Sequence, residues 1–537
     1  MKKIESLFIC CAVVGMFAVV GVSLWRDGVL GSDNSGVINP TKYGAFLAAQ
    51  HAAYVNDFDA ANRFAEILDG NESDVVRNTK VMSAFLGGHM PENAADLKNE
   101  SGTAARLIYD AYLVNNDKWD EMYSRHKNDK SALAAPLRIW SSVAINHKTE
   151  TLKFIDSLET SESWKSFVRG QIYAETGDTA KAADEFSRVL PAFMNINDYL
   201  YIMSFYRRND MVDAAGTLYD AFTSQPGGIF VAEFDDIPDW LEYSGIKNAL
   251  AFSLIQNVSH TQVMMYSDLS VLLLRMAELV GQGGQNESDA ITYYLGQYFF
   301  NNGGDYASYF TKIKRTSPYY PFAMLRMAEG DEDVLSLHRV LKSYPMFVPA
   351  INKLVAYYIA NDNQRAALKI VNRALNNERL SDENHAFFLK IRARIYFAFG
   401  NLERAAADIH AASDVLGLDG EILALQAKIW AAENRELDVA YDYAMNLVKR
   451  NPSDVYAWDV LGRVVAAREG AVAALELISR VGDVARECSS LFENLGDLYM
   501  RVKNNSMAAD AYMRAIELSD DGLVVVPRFR QKLRKVK

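Results

Sequence analysis
The sequence predicts an all-α protein, an α-solenoid of stacked helical hairpins with a transmembrane helix at its N-terminus. Three observations predict it. First, Trp458, Leu461, Gly462, Val465, Ala474, Ile478 and Val481 return in the same order and spacing as Phe492, Leu495, Gly496, Tyr499, Ala508, Tyr512 and Ala515. A fixed period of this length, about 34 residues, marks an array whose unit is one pair of helices. Second, half of the 537 residues are hydrophobic and only 12 are proline, and the apolar residues fall at helical rather than alternating spacing. Third, Leu7 to Trp25 is an apolar run without a charge, preceded by Lys2 and Lys3 and closed by Arg26 and Asp27. As a helix it rises about 28 Å, close to the hydrocarbon thickness of a bilayer.

The N-terminal segment, residues 1–27, therefore reads as a signal anchor. Two lysines on the amino side keep the N-terminus in the cytoplasm and place the body across the membrane, in the periplasm if the source is bacterial. Val19-Val20-Gly21 is a poor cleavage site and Ala-x-Ala is absent, so an uncleaved single-pass anchor in the inner membrane is favoured. The alternative is a cleaved signal and a soluble periplasmic body. Residues 28–41, rich in Gly, Ser, Asn and Asp, form a tether.

An N-terminal array follows over 42–224. Ala49 and Ala52, the polar corner Asn56-Asp57, then Ala60-Ala61 and Phe64 outline its first hairpin. Helical spacing continues through Leu107–Leu113, Leu133–Val143 and Leu152–Leu158 with the small-residue signature blurred. The signature returns at Gly170, Tyr173, Gly177, Ala182 and Phe186, and again at Asn209-Asp210, Ala214, Leu218 and Ala221. Residues 225–285 are an irregular joint: Gln225-Pro226-Gly227-Gly228 and Pro238 break the pattern, and Gly281-Gln282-Gly283-Gly284 marks a loop.

The C-terminal array spans 286–522. Gly296 and Phe299 open its first pair, and tighter units run through Tyr358–Ala374, Ala393–Ala412 and Ala427–Ala444 into the two repeats quoted first. Each residue type has a mechanical reason. Gly462 and Gly496 stand where two helices approach most closely, Ala474 and Ala508 open the second helix at that contact, and Tyr499 and Tyr512 fill the space beside it. Stacked units bury apolar faces only between neighbours, which makes a curved stack with an inner wall. Residues 523–537 are a basic tail carrying Arg528, Arg530, Lys532, Arg534, Lys535 and Lys537. It reads equally as a contact for an acidic partner or anionic lipid, as a capping helix, or as a disordered end.

The order large, large, small, aromatic, then small, aromatic, small resembles the tetratricopeptide repeat (TPR) family over about 300 residues. That resemblance implies a right-handed superhelix whose first helices line a concave groove at set positions. Those positions fall here on Lys390, Arg394 and Phe397, on Tyr456, Asp459 and Arg463, and on Glu493, Asp497 and Arg501. The family's chaperone-tail clamp also needs Asn partners that are missing here, so binding of that kind is rejected. The layout further resembles exported TPR proteins of alphaproteobacteria, through the apolar segment, Phe46, His51 and Ala52, a degenerate middle and regular C-terminal repeats.

Chemistry is sparse. The eight histidines are scattered, with no His-Glu-x-x-His and no Cys-x-x-Cys, so no metal is expected. No phosphate-binding loop or nucleophile elbow occurs, no cofactor is implied, and the chain is read as a non-enzyme. Three cysteines are too few for a disulfide framework, and Cys488 reads as a small buried residue. A formal net charge of −12 argues against nucleic acid as a partner. What remains is a protein-interaction scaffold of the cell envelope, binding a protein or peptide in the groove. The alternative is a structural subunit of an oligomeric or secretion-type envelope assembly.

Overall fold
The computed structural model describes residues 42–536 apart from 69–73, 101, 130, 224–244, 261–267, 282–284, 331–332, 378–379, 480–488 and 520–525. The expected membrane segment 7–25, the tether, Val481, Cys488, and residues 225–244, 261–267 and 282–284 of the joint lie outside the described residues. Among the described residues every regular element is a helix, and none is long and apolar enough to cross a membrane.

The chain forms two compact units, Met1–Asn93 and Ala94–Lys537. The first holds α1 (Lys42–Tyr54), α2 (Phe58–Glu66) and α3 (Asp74–Leu86). Its core is small: Ala45, Ala49, Ala65 and Leu68 are buried, with Phe46, Phe64 and Val76 packed against them.

The second unit is a series of hairpins. They are α4 (Thr103–Asn115) with α5 (Trp119–His126), α6 (Ala134–Ala144) with α7 (Lys148–Asp156), α8 (Glu162–Glu175) with α9 (Thr179–Ser187), and α10 (Ile196–Arg208) with α11 (Val212–Thr223). Next come α12 (Ile246–Ser259) with α13 (Asp268–Val280), α14 (Gln285–Asn302) with α15 (Tyr306–Phe310), and α16 (Tyr320–Gly330) with α17 (Val334–Ser343). The regular C-terminal pairs are α18 (Val348–Ala360) with α19 (Gln364–Leu375), α20 (Asp382–Ala398) with α21 (Leu402–Leu416), α22 (Gly420–Glu433) with α23 (Leu437–Arg450), α24 (Val455–Arg468) with α25 (Ala471–Ser479), and α26 (Ser489–Arg501) with α27 (Asn505–Glu517). A last helix, α28 (Val526–Val536), stands alone.

One corner recurs and explains why the chain turns where it does. A residue with left-handed φ ends the first helix, and an Asp or Asn then caps the second. Gly177 (φ 79°) precedes Asp178, whose side chain accepts the Lys181 N–H. Asp362 (56°) precedes Asn363, Gly400 (75°) precedes Asn401, and Lys503 (60°) precedes Asn504, each cap accepting the N–H three residues on. Glycine, Asn and Asp tolerate that φ better than other residues, and Asx caps satisfy an orphan donor of the new helix. The hairpins of 103–156, where the small-residue signature blurs, use the same left-handed turn at Asp117 and Asn146.

Within a pair the helices close on the small residues the sequence singled out. A Cβ added at Gly170 would lie 2.5 Å from the Phe186 ring, one at Gly296 would lie 2.5 Å from Phe310, and one at Gly496 would overlap Tyr512. Ala367, Ala405, Ala440, Ala474 and Ala508 are fully buried near the start of each second helix.

Candidate protein-binding face
In the C-terminal pairs each first helix packs against the next first helix, as α18 on α20, α20 on α22, α22 on α24 and α24 on α26. Successive second helices do not approach one another to the same extent. The stack therefore bends towards its first helices, which form the inner face.

The N-terminal pairs are different, because their inner face is filled. Hairpin α12–α13 packs against the first helices α4, α6 and α8. Leu250, Ala251, Leu254, Val258, Leu273, Leu274, Met276 and Val280 are fully buried. Polar bonds key the hairpin in. The buried Trp140 indole donates to Ser253 Oγ at 2.8 Å, Gly245 N donates to Glu175 Oε2 at 2.7 Å, and Lys247 pairs with Asp117 at 2.9 Å. Burial pushes the Glu175 carboxyl above its ordinary range. At the far end of α12, Asp198 of α10 receives His260 Nε2 at 2.7 Å and Gln256 Nε2 at 2.9 Å. Burial opposes a charge on His260, yet the hydrogen bond and charge of Asp198 outweigh it and hold the ring above its ordinary pKa. Asn197, one residue earlier, is buried between the hydroxyls of Tyr294 and Tyr319. With so much apolar surface committed, this hairpin is core, not a ligand that comes and goes.

The inner face of α18–α24 carries no such hairpin, and the nine residues marked from the sequence lie on the first helices α20, α24 and α26. Lys390 is buried and paired with Asp419 (3.1 Å) and Glu421 (2.6 Å). Arg394 is half-buried and, among the described residues, has no ion pair or hydrogen bond. Phe397 leans on the cluster of Ala393, Ala405 and Ile409 rather than standing free. Tyr456 is 43% exposed and its hydroxyl accepts from Lys428 Nζ at 2.8 Å. Asp459 is buried and takes both of its contacts, 3.2 Å each, from Arg463 Nε. Burial works against the Arg463 charge, but Asp459 and the nearby Glu493 and Asp497 carboxylates raise its pKa above the ordinary value.

The last pair is occupied by the basic tail. Residues 526–536 form α28, which buries Phe529 completely and packs on α27. Arg528 reaches Glu493 at 2.6 Å, and Lys532 reaches Glu493 at 2.8 Å and Asp497 at 2.7 Å. Tyr512 also donates to Asp497 at 2.8 Å, and burial together with that bond pushes its phenol well up. Glu493 and Asp497 are therefore paired within the protein, while Arg501 is exposed. Of the three readings of the tail, the described part is a capping helix.

Sequence reasoning left out Lys428, and it named Arg528 and Lys532 in the tail without pairing them to Glu493 and Asp497. The signal existed. Lys428 follows Arg394 by one repeat period, about 34 residues. Arg528 and Lys532 stand 35 residues after Glu493 and Asp497, the carboxylates they meet. Among the described residues no group of three or more His, Cys, Asp or Glu side chains is placed to hold a metal ion.

No family model matches the chain, and no curated protein matches it. Three solved structures are similar. A tetratricopeptide repeat protein from Parabacteroides merdae is 13% identical over 47% of this chain and 92% of its own, with a TM-score of 0.32. The Cut9–Hcn1 hetero-tetramer of APC/C is 12% identical over 93% of this chain and 96% of its own, with a TM-score of 0.28. Yeast Tom70 is 12% identical over 81% and 94%, with a TM-score of 0.30. The fold rests on the hairpins themselves: by their repeat register and their glycine–aromatic contacts they form an all-helical, tetratricopeptide-like array.

Proposed function
We propose that the protein is a non-catalytic scaffold of the bacterial cell envelope, tethered through residues 7–25 with its body in the periplasm, that binds a partner protein on the inner face of α18–α24. The observation that supports this most is the contrast between the two inner faces. One is filled with the chain's own apolar hairpin, and the other presents half-exposed polar side chains, with Arg394 unpaired among the described residues. The reading is tested by placing a photoreactive amino acid at Tyr456 on the inner face, or at Met513 on a second helix, in cells. A single partner captured from position 456 alone, which then binds the purified protein, is the expected result. Equal capture from both positions contradicts it.

A second reading, the structural subunit, has its own support. Val439, Val472 and Met507 lie at the starts of successive second helices and are 37%, 64% and 42% exposed. Such a row of apolar side chains suits self-association. A stable oligomer of the purified protein by mass measurement favours this reading, and a monomer favours the scaffold.

A further inference from the structure
Resting on that scaffold reading, we infer that the occupant of the inner face is an extended segment of a partner protein with a carboxylate at about every third residue. The inference starts from register. Arg394, Lys428 and Arg463 follow one another at the repeat period, so they hold the same place on three successive first helices, α20, α22 and α24. Neighbouring packed helices are separated by about 8–10 Å. An extended chain of the polyproline-II kind advances about 3.1 Å per residue with three residues per turn, so every third side chain points the same way and three residues cover one such step.

The three cations are open to an outside anion to different degrees. Among the described residues Arg394 has no counter-ion. Lys428 spends a hydrogen bond on the neutral Tyr456 hydroxyl and lies 4.5 Å from that ring. Arg463 uses Nε on Asp459, leaving its two outer nitrogens for a second acid. The column is bounded at both ends. Asp497, the counterpart of Arg463 on α26, is closed by Lys532, and Ala356, the counterpart of Arg394 on α18, is neutral.

The test uses the full-length protein in detergent and fluorescence anisotropy. The probe is a labelled twelve-residue peptide with glutamate at every third position, separated by Ala and Ser. Its control has the same composition with the glutamates contiguous. The spaced peptide is expected to bind about tenfold more tightly than the control, with Arg394→Gln and Lys428→Gln each weakening it about threefold to fivefold. Arg530→Gln, on the capping helix, should leave binding unchanged, and melting curves of each variant report folding. Equal affinity for the two peptides, affinity indifferent to Arg394 and Lys428, or equally tight binding of a single-stranded oligonucleotide of the same charge each overturns the inference. If the acidic probe fails while photo-capture at Tyr456 still yields one partner, the scaffold stands and only the acidic spacing falls.

Discussion
Whether a repeat tolerates a methyl group depends on what faces its glycine. At Gly496 the added atom meets the rigid Tyr512 ring, held by its bond to Asp497, whereas at Gly462 it meets the end of Ile478 at 2.9 Å. An isoleucine terminus can rotate away and a fixed ring cannot. Gly496→Ala should therefore cost about 1–3 kcal/mol from overpacking, less about 0.5–1 kcal/mol gained in helix propensity. Gly462→Ala should be close to neutral, and urea unfolding of the two variants checks the difference. A second prediction concerns His260. Its pKa is raised in the folded chain, so the folded state holds the proton more tightly than the unfolded state. That stabilisation is complete below the ordinary histidine value of about 6.5 and is lost as pH rises through the raised value. The urea midpoint of the natural protein should fall more steeply above about pH 6.5 than that of Asp198→Asn. Parallel pH profiles would contradict the pairing.

At the scale of the element, α28 shows how a basic tail becomes a cap. Its Phe529 fills the end of the stack, and its two inward cations pair with the Glu493 and Asp497 carboxylates. Removing one charged partner from such a group costs about 1.5–3 kcal/mol. Lys532→Met should accordingly destabilise the last pair by about that amount and speed amide exchange in α26 and α27, while exchange in α4–α9 stays unchanged. A uniform change along the chain would contradict the local role, because repeat stability is largely a matter of nearest neighbours. The tail's charge was plain in the sequence but its pairing was not, since each partner stands a full repeat away.

For the second unit as a whole, the hairpins were legible because their determinants are local. Gly170 and Phe186, or Gly400 and Asn401, act within one pair, and the repeat period carries such contacts from pair to pair. The filled N-terminal face was not legible. It depends on Trp140 meeting Ser253 across 113 residues, and on Lys247 meeting Asp117, contacts that leave no periodic trace. The inner-face residues were found by register. Their states were not, because the pairing of Lys390, for one, depends on Asp419 and Glu421 in the following turn and helix.

The central claim is that the inner face of α18–α24 is open for binding and that of α4–α10 is not. Amide hydrogen exchange of the full-length protein, with and without the spaced acidic peptide or a captured partner, tests it most directly. Added protection confined to the first helices α18, α20, α22 and α24, with α4, α6, α8, α12 and α13 unchanged, is the predicted result. Protection on α12 and α13, or their release into fast exchange when the ligand binds, would show that the N-terminal face is the working site and would contradict the account.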